Sequence, residues 1–181
     1  GAVALFVPYL AELIKRKAFT PTLTIRFRHE PPFCHKTIWR SQIDLSVKEP
    51  VFFFRFQVAN EGQSQARLVE AILEELWIFD VAGTAHKLAN FSPIKLRYDE
   101  LGTRFVNLNP KRQVFWNIGH ISSLAHQSRE ERKVFVDIPG KYGDELRFFI
   151  EQIEFPFSQP NCLVPGRYRL KISLYSENAA P

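Results

Sequence analysis

The chain has 181 residues, of which 45% are hydrophobic, and its formal net charge is +5. At this length a single domain with one hydrophobic core is expected, and the apolar content excludes a chain that is disordered throughout. The 17 phenylalanines favour a pleated sheet over a bundle of helices. The basic excess fits an ordinary solvated surface as well as an anionic partner such as lipid headgroups or nucleic acid.

Residues 1–18 are predicted to form a short apolar helix. Glu12 is the one charged residue in 1–14, and Lys15, Arg16 and Lys17 follow directly. A membrane span needs about 20 residues. Three interpretations therefore remain open: the end of a transmembrane helix that begins further upstream, a helix in the membrane interface, and a helix packed on its own domain. Basic residues that flank a membrane segment stay in the cytoplasm, so we expect a membrane-associated chain whose remaining domain, residues 19–181, lies on the cytoplasmic side.

After this segment, apolar and polar residues alternate, which is typical of β-strands. Residues 22–28 are predicted to form a half-buried strand, and 33–50 an irregular stretch with a short strand at 43–47. A strand at 51–59 leads into the turn signal Asn60-Glu61-Gly62. The apolar faces of the two longer strands consist of Leu23, Ile25, Phe27, Phe52, Phe54, Phe56 and Val58.

Residues 66–80 fit two kinds of element. Ser64 could cap a helix, and apolar residues recur at spacings of four and three along the segment. As a strand, the segment would place Leu68, Ile72 and Leu76 on one face. Local propensity favours the helix.

Further strands, each bounded by turn residues, are predicted at 94–98, 113–118, 133–138, 146–153 and 167–175. A total of about seven or eight short strands is typical of an antiparallel β-sandwich. Two sheets should pack face to face, with these side chains at their interface: Phe52, Phe54, Phe56, Tyr168, Leu170 and Ile172.

Three segments together resemble the immunoglobulin-like β-sandwich family. The first contains the pattern V-x-N-x-G between two strands, the second a proline-marked turn before an aromatic strand, and the third a final strand entered through a Pro-Gly turn. They are residues 54–73, 108–121 and 163–179.

Together with the apolar N-terminal segment and residues 19–27, this arrangement is similar to uncharacterised prokaryotic proteins in which a membrane helix precedes a sandwich domain. The resemblance implies a fold and an anchor, but no activity. It also implies that residues 66–80 form a long, bent strand whose helical propensity is overridden by sheet pairing.

Few patterns point to chemistry. Nucleotide-binding glycine loops, the GxSxG elbow and the HExxH motif are absent from the sequence. His29, Cys34 and His35 could begin a zinc site, but no second ligand pair at a typical spacing accompanies them. No metal or cofactor is therefore predicted. Cys34 and Cys162 either pair or remain free buried thiols, and we expect the thiols.

Catalytic residues are not predicted either. Ser122 or Ser123 beside His120 or His126 would need an orienting acid and an oxyanion hole, which nothing near them in the sequence supplies. The adjacent acids Glu74-Glu75 would point to opposite faces of a strand, so we interpret them as solvated charges.

Basic residues beside aromatic residues are the strongest indication of a binding surface, because such surfaces hold single-stranded nucleic acid. Alternation along a strand would instead place the rings in the core and the cations on the outer face, and we favour that interpretation. The residues concerned are Arg26, Arg28, Arg40, Arg55, Arg167, Arg169 and Lys171.

The sequence therefore predicts a non-enzymatic, membrane-associated sandwich domain that binds an unidentified protein partner through its edge strands and end loops. The alternative is a soluble nucleic-acid-binding module that uses the basic and aromatic surface. No small-molecule substrate is expected.

Overall fold

The computed structural model describes residues 20–40, 48–89, 91–98, 103–123, 146–153, 162–163 and 165–179. Within these ranges the chain forms strands and no helix, which confirms the predicted all-β class. Several predictions fall outside the described residues. They are the helix of residues 1–18 with Lys15, Arg16 and Lys17, the strands at 43–47 and 133–138, and the interpretation of His126. The strands are β1 (Leu23–Arg26), β2 (Cys34–Arg40), β3 (Lys48–Asn60), β4 (Ala66–Phe79), β5 (Ala85–Lys87), β6 (Ile94–Lys95), β7 (Val106–Leu108), β8 (Gln113–Ser123), β9 (Leu146–Ile150), β10 (Cys162–Leu163) and β11 (Tyr168–Tyr175).

The strands form two antiparallel sheets, each built around one long strand. In the six-stranded sheet the order is β1-β3-β8-β9-β10, and β2 pairs with β3 beyond the end of β1. In the five-stranded sheet the order is β11-β4-β5, and the short strands β6 and β7 also pair with β4. β3 and β4 are joined by the turn at residues 61–65, which crosses from one sheet to the other.

Both sheets contribute side chains to a single hydrophobic core, which makes the fold β-sandwich-like. Trp116 of β8 and Phe56 of β3 stack at a centroid distance of 6.3 Å within it. The buried members are Phe56, Val58, Ala66, Val69, Ala71, Leu73, Leu76, Ile94, Leu96, Leu108, Trp116, Ile118, Ile150 and Leu163.

The predicted interface residues are confirmed except for Phe52. Phe56 is buried, and Phe54, Tyr168, Leu170 and Ile172 pack against the core. Phe52 is 42% exposed and does not belong to the core, because the core on this face of β3 ends at Phe54. Leu23 of β1 packs against the core, whereas Ile25 of β1 and Phe27, just after the strand, are exposed.

Residues 66–79 form a strand, as the resemblance implied, and not a helix. Core side chains of β4 follow one another at intervals of three, two, two and three residues: Ala66, Val69, Ala71, Leu73 and Leu76. At each three-residue interval the pairing register shifts, which is the mark of a β-bulge. Leu68, with a φ of 50°, lies in the first bulge, and Glu74 is the unpaired extra residue of the second. Because the three-residue intervals break the period of two, the core face of β4 does not show the regular alternation of a strand.

β2 was not predicted, since residues 33–50 were expected to be irregular apart from 43–47. It pairs with β3 over its whole length, from Cys34 opposite Phe54 to Arg40 opposite Lys48. Its sequence, CHKTIWR, has too few apolar residues to give an alternating signal. Pairing with β3, not local pattern, therefore makes this segment a strand.

The turn after β3 is organised by the buried side chain of Asn60. Its Nδ2 donates to the carbonyl oxygens of Ser64 (2.7 Å) and Leu108 (2.9 Å), and its Oδ1 accepts from the N–H groups of Gly62 (3.0 Å) and Thr22 (3.2 Å). A Cβ on Gly62 would lie 2.6 Å from the nitrogen of Thr22, so the backbone approach requires glycine here. The asparagine of the V-x-N-x-G pattern thus connects the start of β1, the β3–β4 turn and the end of β7 through its hydrogen bonds.

Candidate functional site: an arginine–aromatic face

The outer face of the five-stranded sheet carries aromatic and basic side chains together. On β4, Leu76 enters the core, so Trp77 points away from it, and on β11 the inward Leu170 leaves Arg169 on the outside. The register places Arg169 beside Trp77, and Trp77 beside Lys87 of β5. We call this surface the arginine–aromatic face; its members are Trp77, Phe79, Lys87, Arg167 and Arg169.

The cations of this face lie over the rings. The guanidinium carbon of Arg167 is 4.5 Å from the ring centroid of Phe79, and that of Arg169 is 5.5 Å from Phe79 and 6.0 Å from Trp77. Nζ of Lys87 is 5.9 Å from the Trp77 ring. Each such contact stabilises the pair by about 0.5–1 kcal/mol at an exposed site. The half-buried rings therefore position three exposed cations in a row.

The two arginines keep their charge available for a partner. In the part of the chain that the structure describes, no carboxylate oxygen lies within ion-pair distance of Arg167 or Arg169. Lys87, in contrast, is 3.2 Å from Glu75. The strongest unneutralised positive charge of the face is thus at the end formed by the arginines.

Glu74 and Glu75 remain in contact with solvent, each with a side chain that is 22% exposed, but the expectation that they point to opposite faces was wrong. The bulge in β4 lets both carboxylates reach Lys171, at 3.5 Å and 3.2 Å. The hydroxyl of Tyr175 also donates to Glu74 and is the main reason that the pKa of Glu74 is lowered, whereas Lys171 is the main cause for Glu75. Both groups are ionised at neutral pH, and the stabilisation from these contacts is lost as the pH falls through the lowered pKa values.

The favoured interpretation of the basic and aromatic residues is confirmed for β11 and the residue before it, because Tyr168 packs against the core while Arg167 and Arg169 are exposed. It did not anticipate that rings of the neighbouring strand β4 lie on the same outer face. Trp77 and Phe79 share the outer surface with Arg167 and Arg169. The rings and Lys87 were missed, although the patterns W-x-F and R-x-R, each with period two, were present in the sequence.

On the six-stranded sheet, Arg55 also lies over a ring, with its guanidinium carbon 5.2 Å from the centroid of Phe115. Its Nε and Nη2 both donate to the carbonyl of Pro32, at 3.3 and 3.1 Å. Burial lowers the pKa of Arg55 from its ordinary value. This arginine is used to hold the loop before β2, so it is a weaker candidate for binding.

A buried polar cluster surrounds His120 of β8. Its Nδ1 lies 2.9 Å from Oε1 of Glu151, and Oε2 of Glu151 lies 3.6 Å from Nη1 of Arg97. The imidazole stacks between Phe53, at 5.9 Å, and Phe149, at 5.4 Å. The cluster ties β8 to the end of β9.

Glu151 is an acid that the sequence near Ser122 and Ser123 does not supply, because it lies 31 residues after His120. Pairing of β8 with β9 brings it to His120. His120 is 7% exposed and Ser122 is 2% exposed. Both side chains are therefore largely shielded from solvent in this conformation.

The three residues considered for zinc do not converge on one point. Cys34 and His35 are neighbours in β2 and point to opposite faces. Cys34 is a free buried thiol, whose Sγ donates to the carbonyl of Arg28 at 3.4 Å, and His29 packs edge-on against Phe27 at 5.2 Å. Among the described residues, no group of three or more potential metal ligands is gathered.

Comparisons with protein-family models, with curated proteins and with solved structures found no match. Within the described ranges, no helix has the length and apolar character needed to cross a membrane.

Proposed function

We propose that this chain is a non-enzymatic, immunoglobulin-like sandwich domain that acts beside a membrane by binding an acidic segment of a partner protein on the arginine–aromatic face. The observation that carries the proposal is the pair Arg167 and Arg169, held over Phe79 and Trp77. Guanidinium groups bind carboxylates through paired hydrogen bonds, and fixing them in advance reduces the entropy lost on binding.

The position of the cations favours an acidic peptide over single-stranded nucleic acid. Nucleic-acid surfaces of this kind stack bases on open aromatic rings. Here Arg167 covers the ring of Phe79, and Arg169 and Lys87 approach that of Trp77. Because the rings support the cations, the chemistry they offer is anion binding, with the side chains of a carboxylate-rich strand as the natural match.

We expect the double substitution Arg167→Gln/Arg169→Gln to weaken binding of a synthetic glutamate-rich peptide at least about tenfold, since losing one charged hydrogen bond costs about 1.5–3 kcal/mol. Isothermal titration calorimetry at low salt measures the affinity. The matched control is Arg104→Gln/Arg112→Gln, which removes the same charge from the loop before β7 and the turn before β8.

Equal weakening by the control pair would contradict a site on this face, because net charge alone would then explain binding. An oligothymidylate that binds more tightly than the peptide, with the same dependence on Arg167 and Arg169, would replace the proposal by the nucleic-acid alternative.

The proposed position beside a membrane is based on the basic residues that follow the apolar N-terminal segment. We expect the full chain to co-sediment with anionic vesicles, and Lys15→Gln/Arg16→Gln/Lys17→Gln to lower the partition coefficient roughly a hundredfold, since each basic residue near the surface contributes about 1 kcal/mol. Uncharged phosphatidylcholine vesicles are the control. Binding that is unchanged by the triple substitution, or that is equal on both vesicle types, would argue against this attachment.

A further inference from the structure

β11 is an edge strand in the part of the chain that the structure describes. It pairs with β4 along Tyr168–Tyr175 and with no other described strand. An open edge presents unpaired N–H and C=O groups that can pair with another chain. β11 has eight residues and no proline, and the charge of its Lys171 is held by Glu74 and Glu75 of β4. Of the features that usually block pairing, a charge that is unpaired among the described residues remains at Arg169, and the register described below places it opposite an aromatic ring.

Hydrogen bonds at the two ends of β11 show which residues face the open edge. The carbonyl of Arg167 accepts from the N–H of Phe79, and the N–H of Glu177 donates to the carbonyl of Arg67, both at 3.0 Å. Alternate residues of an antiparallel strand direct both backbone groups to the same side. The odd-numbered residues thus face β4, and the even-numbered residues within 168–174 face outward.

A second copy of the same strand can meet this edge in few registers. Residues that lie opposite each other in neighbouring strands have their side chains on the same face of the sheet. The twofold axis that relates the two copies of β11 must therefore pass through one residue, and not between two residues. Centring on Lys171 would place this lysine against its own copy, and like charges directly opposite are destabilising. Centring on Ser173 would shorten the overlap to the last part of the strand.

Centring on Ile172 gives a self-complementary register. Ile172 then faces its own copy and Leu170 faces Leu174, so the half-buried aliphatic side chains at the edge of the core cover one another. On the outer face, Arg169 meets Tyr175 of the second copy, whose hydroxyl donates to Glu74. The guanidinium group of Arg169 thus lies opposite the ring of Tyr175, and the carboxylate of Glu74 lies at the hydroxyl end of that ring.

We propose that two copies of this chain pair antiparallel through β11, about a twofold axis at Ile172, and so form one continuous sheet. The axis is perpendicular to the sheet, so both arginine–aromatic faces lie on the same side and present a doubled binding surface. The pairing goes beyond the proposed function and is independent of it, because the oligomeric state is measured without any ligand.

Sedimentation velocity of the full chain, from low to high micromolar concentration, tests the pairing. We expect a dimer that Ile172→Lys converts to a monomer, because two buried ammonium groups would meet at the axis. Ala82→Lys, in the exposed turn between β4 and β5, adds the same charge and should leave the dimer intact. Circular dichroism establishes that each variant is folded. A monomer at every concentration would overturn the proposal.

Disulfide trapping tests the register even where the lysine variant fails to fold. In a chain with Cys34→Ala and Cys162→Ala, Ile172→Cys should cross-link to its own copy, since paired residues have Cα atoms about 5.5 Å apart, within disulfide reach. Leu170→Cys should not, because its two copies would be about 13 Å apart along the strands. Efficient trapping at residue 170 with none at 172 would overturn the proposed pairing.

Discussion

Asn60→Ala is expected to destabilise the protein by roughly 3–5 kcal/mol, because each buried group left without a partner costs about 1–3 kcal/mol. The side chain is fully buried and makes four hydrogen bonds to backbone groups of three segments. Alanine would strand the carbonyls of Ser64 and Leu108 and the N–H groups of Gly62 and Thr22. Urea denaturation followed by tryptophan fluorescence measures the change in the free energy of unfolding.

Two variants sharpen this test. Asn109→Ala removes an exposed amide whose Oδ1 accepts from Gln65, and it should cost less than about 1 kcal/mol. Asn60→Asp keeps the acceptor but turns the second oxygen toward two carbonyls, which raises the pKa of the new carboxyl in the folded state. Its stability should fall as the pH rises above about 3.9, the value in an unfolded chain. A loss below about 1 kcal/mol for Asn60→Ala would show that the turn does not depend on this amide.

Gly119→Ala is expected to cost about 2–4 kcal/mol by forcing β8 and β9 apart. A Cβ at this position would lie 2.2 Å from the carbonyl oxygen of Phe149 and 2.6 Å from Cζ of Phe148. The oxygen belongs to the neighbouring strand, and the Phe148 ring packs against Phe54 at 5.6 Å. Neither group can move away without loss of strand pairing or core contact.

Gly166→Ala is the matched control for that experiment. Its nearest heavy atoms are ring atoms of Tyr168 at 3.3 Å, which a small side-chain rotation relieves, so a change within about 0.5 kcal/mol is expected. Thermal and urea unfolding of both variants should be compared with the parent chain. Equal stability of the two glycine variants would mean that β8 and β9 can separate freely at residue 119.

Regular alternation was the most informative property of the sequence. β11 was predicted almost to its ends, because its apolar and polar residues alternate without a bulge. β4 was ambiguous from its own residues, since two bulges replace the period of two with intervals of three. β2 was missed because partner strand pairing, not local pattern, determines it.

The candidate site was only partly visible in the sequence. Arg167 and Arg169 were singled out there, but their rings belong to a strand far away in the chain and are joined to them by sheet register. The contact of Glu151 with His120 was invisible for the same reason. Side chains that meet through pairing can be inferred only after the strand order is known.

The bulge at Glu74 also determines which side chains of β4 lie on the outer surface of the sheet. With strict alternation from the buried Leu73, the next inward positions would be Glu75, Trp77 and Phe79, and Leu76 would face solvent. The bulge inverts this parity, so the rings that support the arginines are external and Leu76 is in the core. Without Glu74, Leu76 would be the second residue after Leu73, and strict alternation would give the same inside and outside. The bulge therefore absorbs one extra residue, and the surface chemistry of this sheet depends on how the strand accommodates its length as much as on its composition.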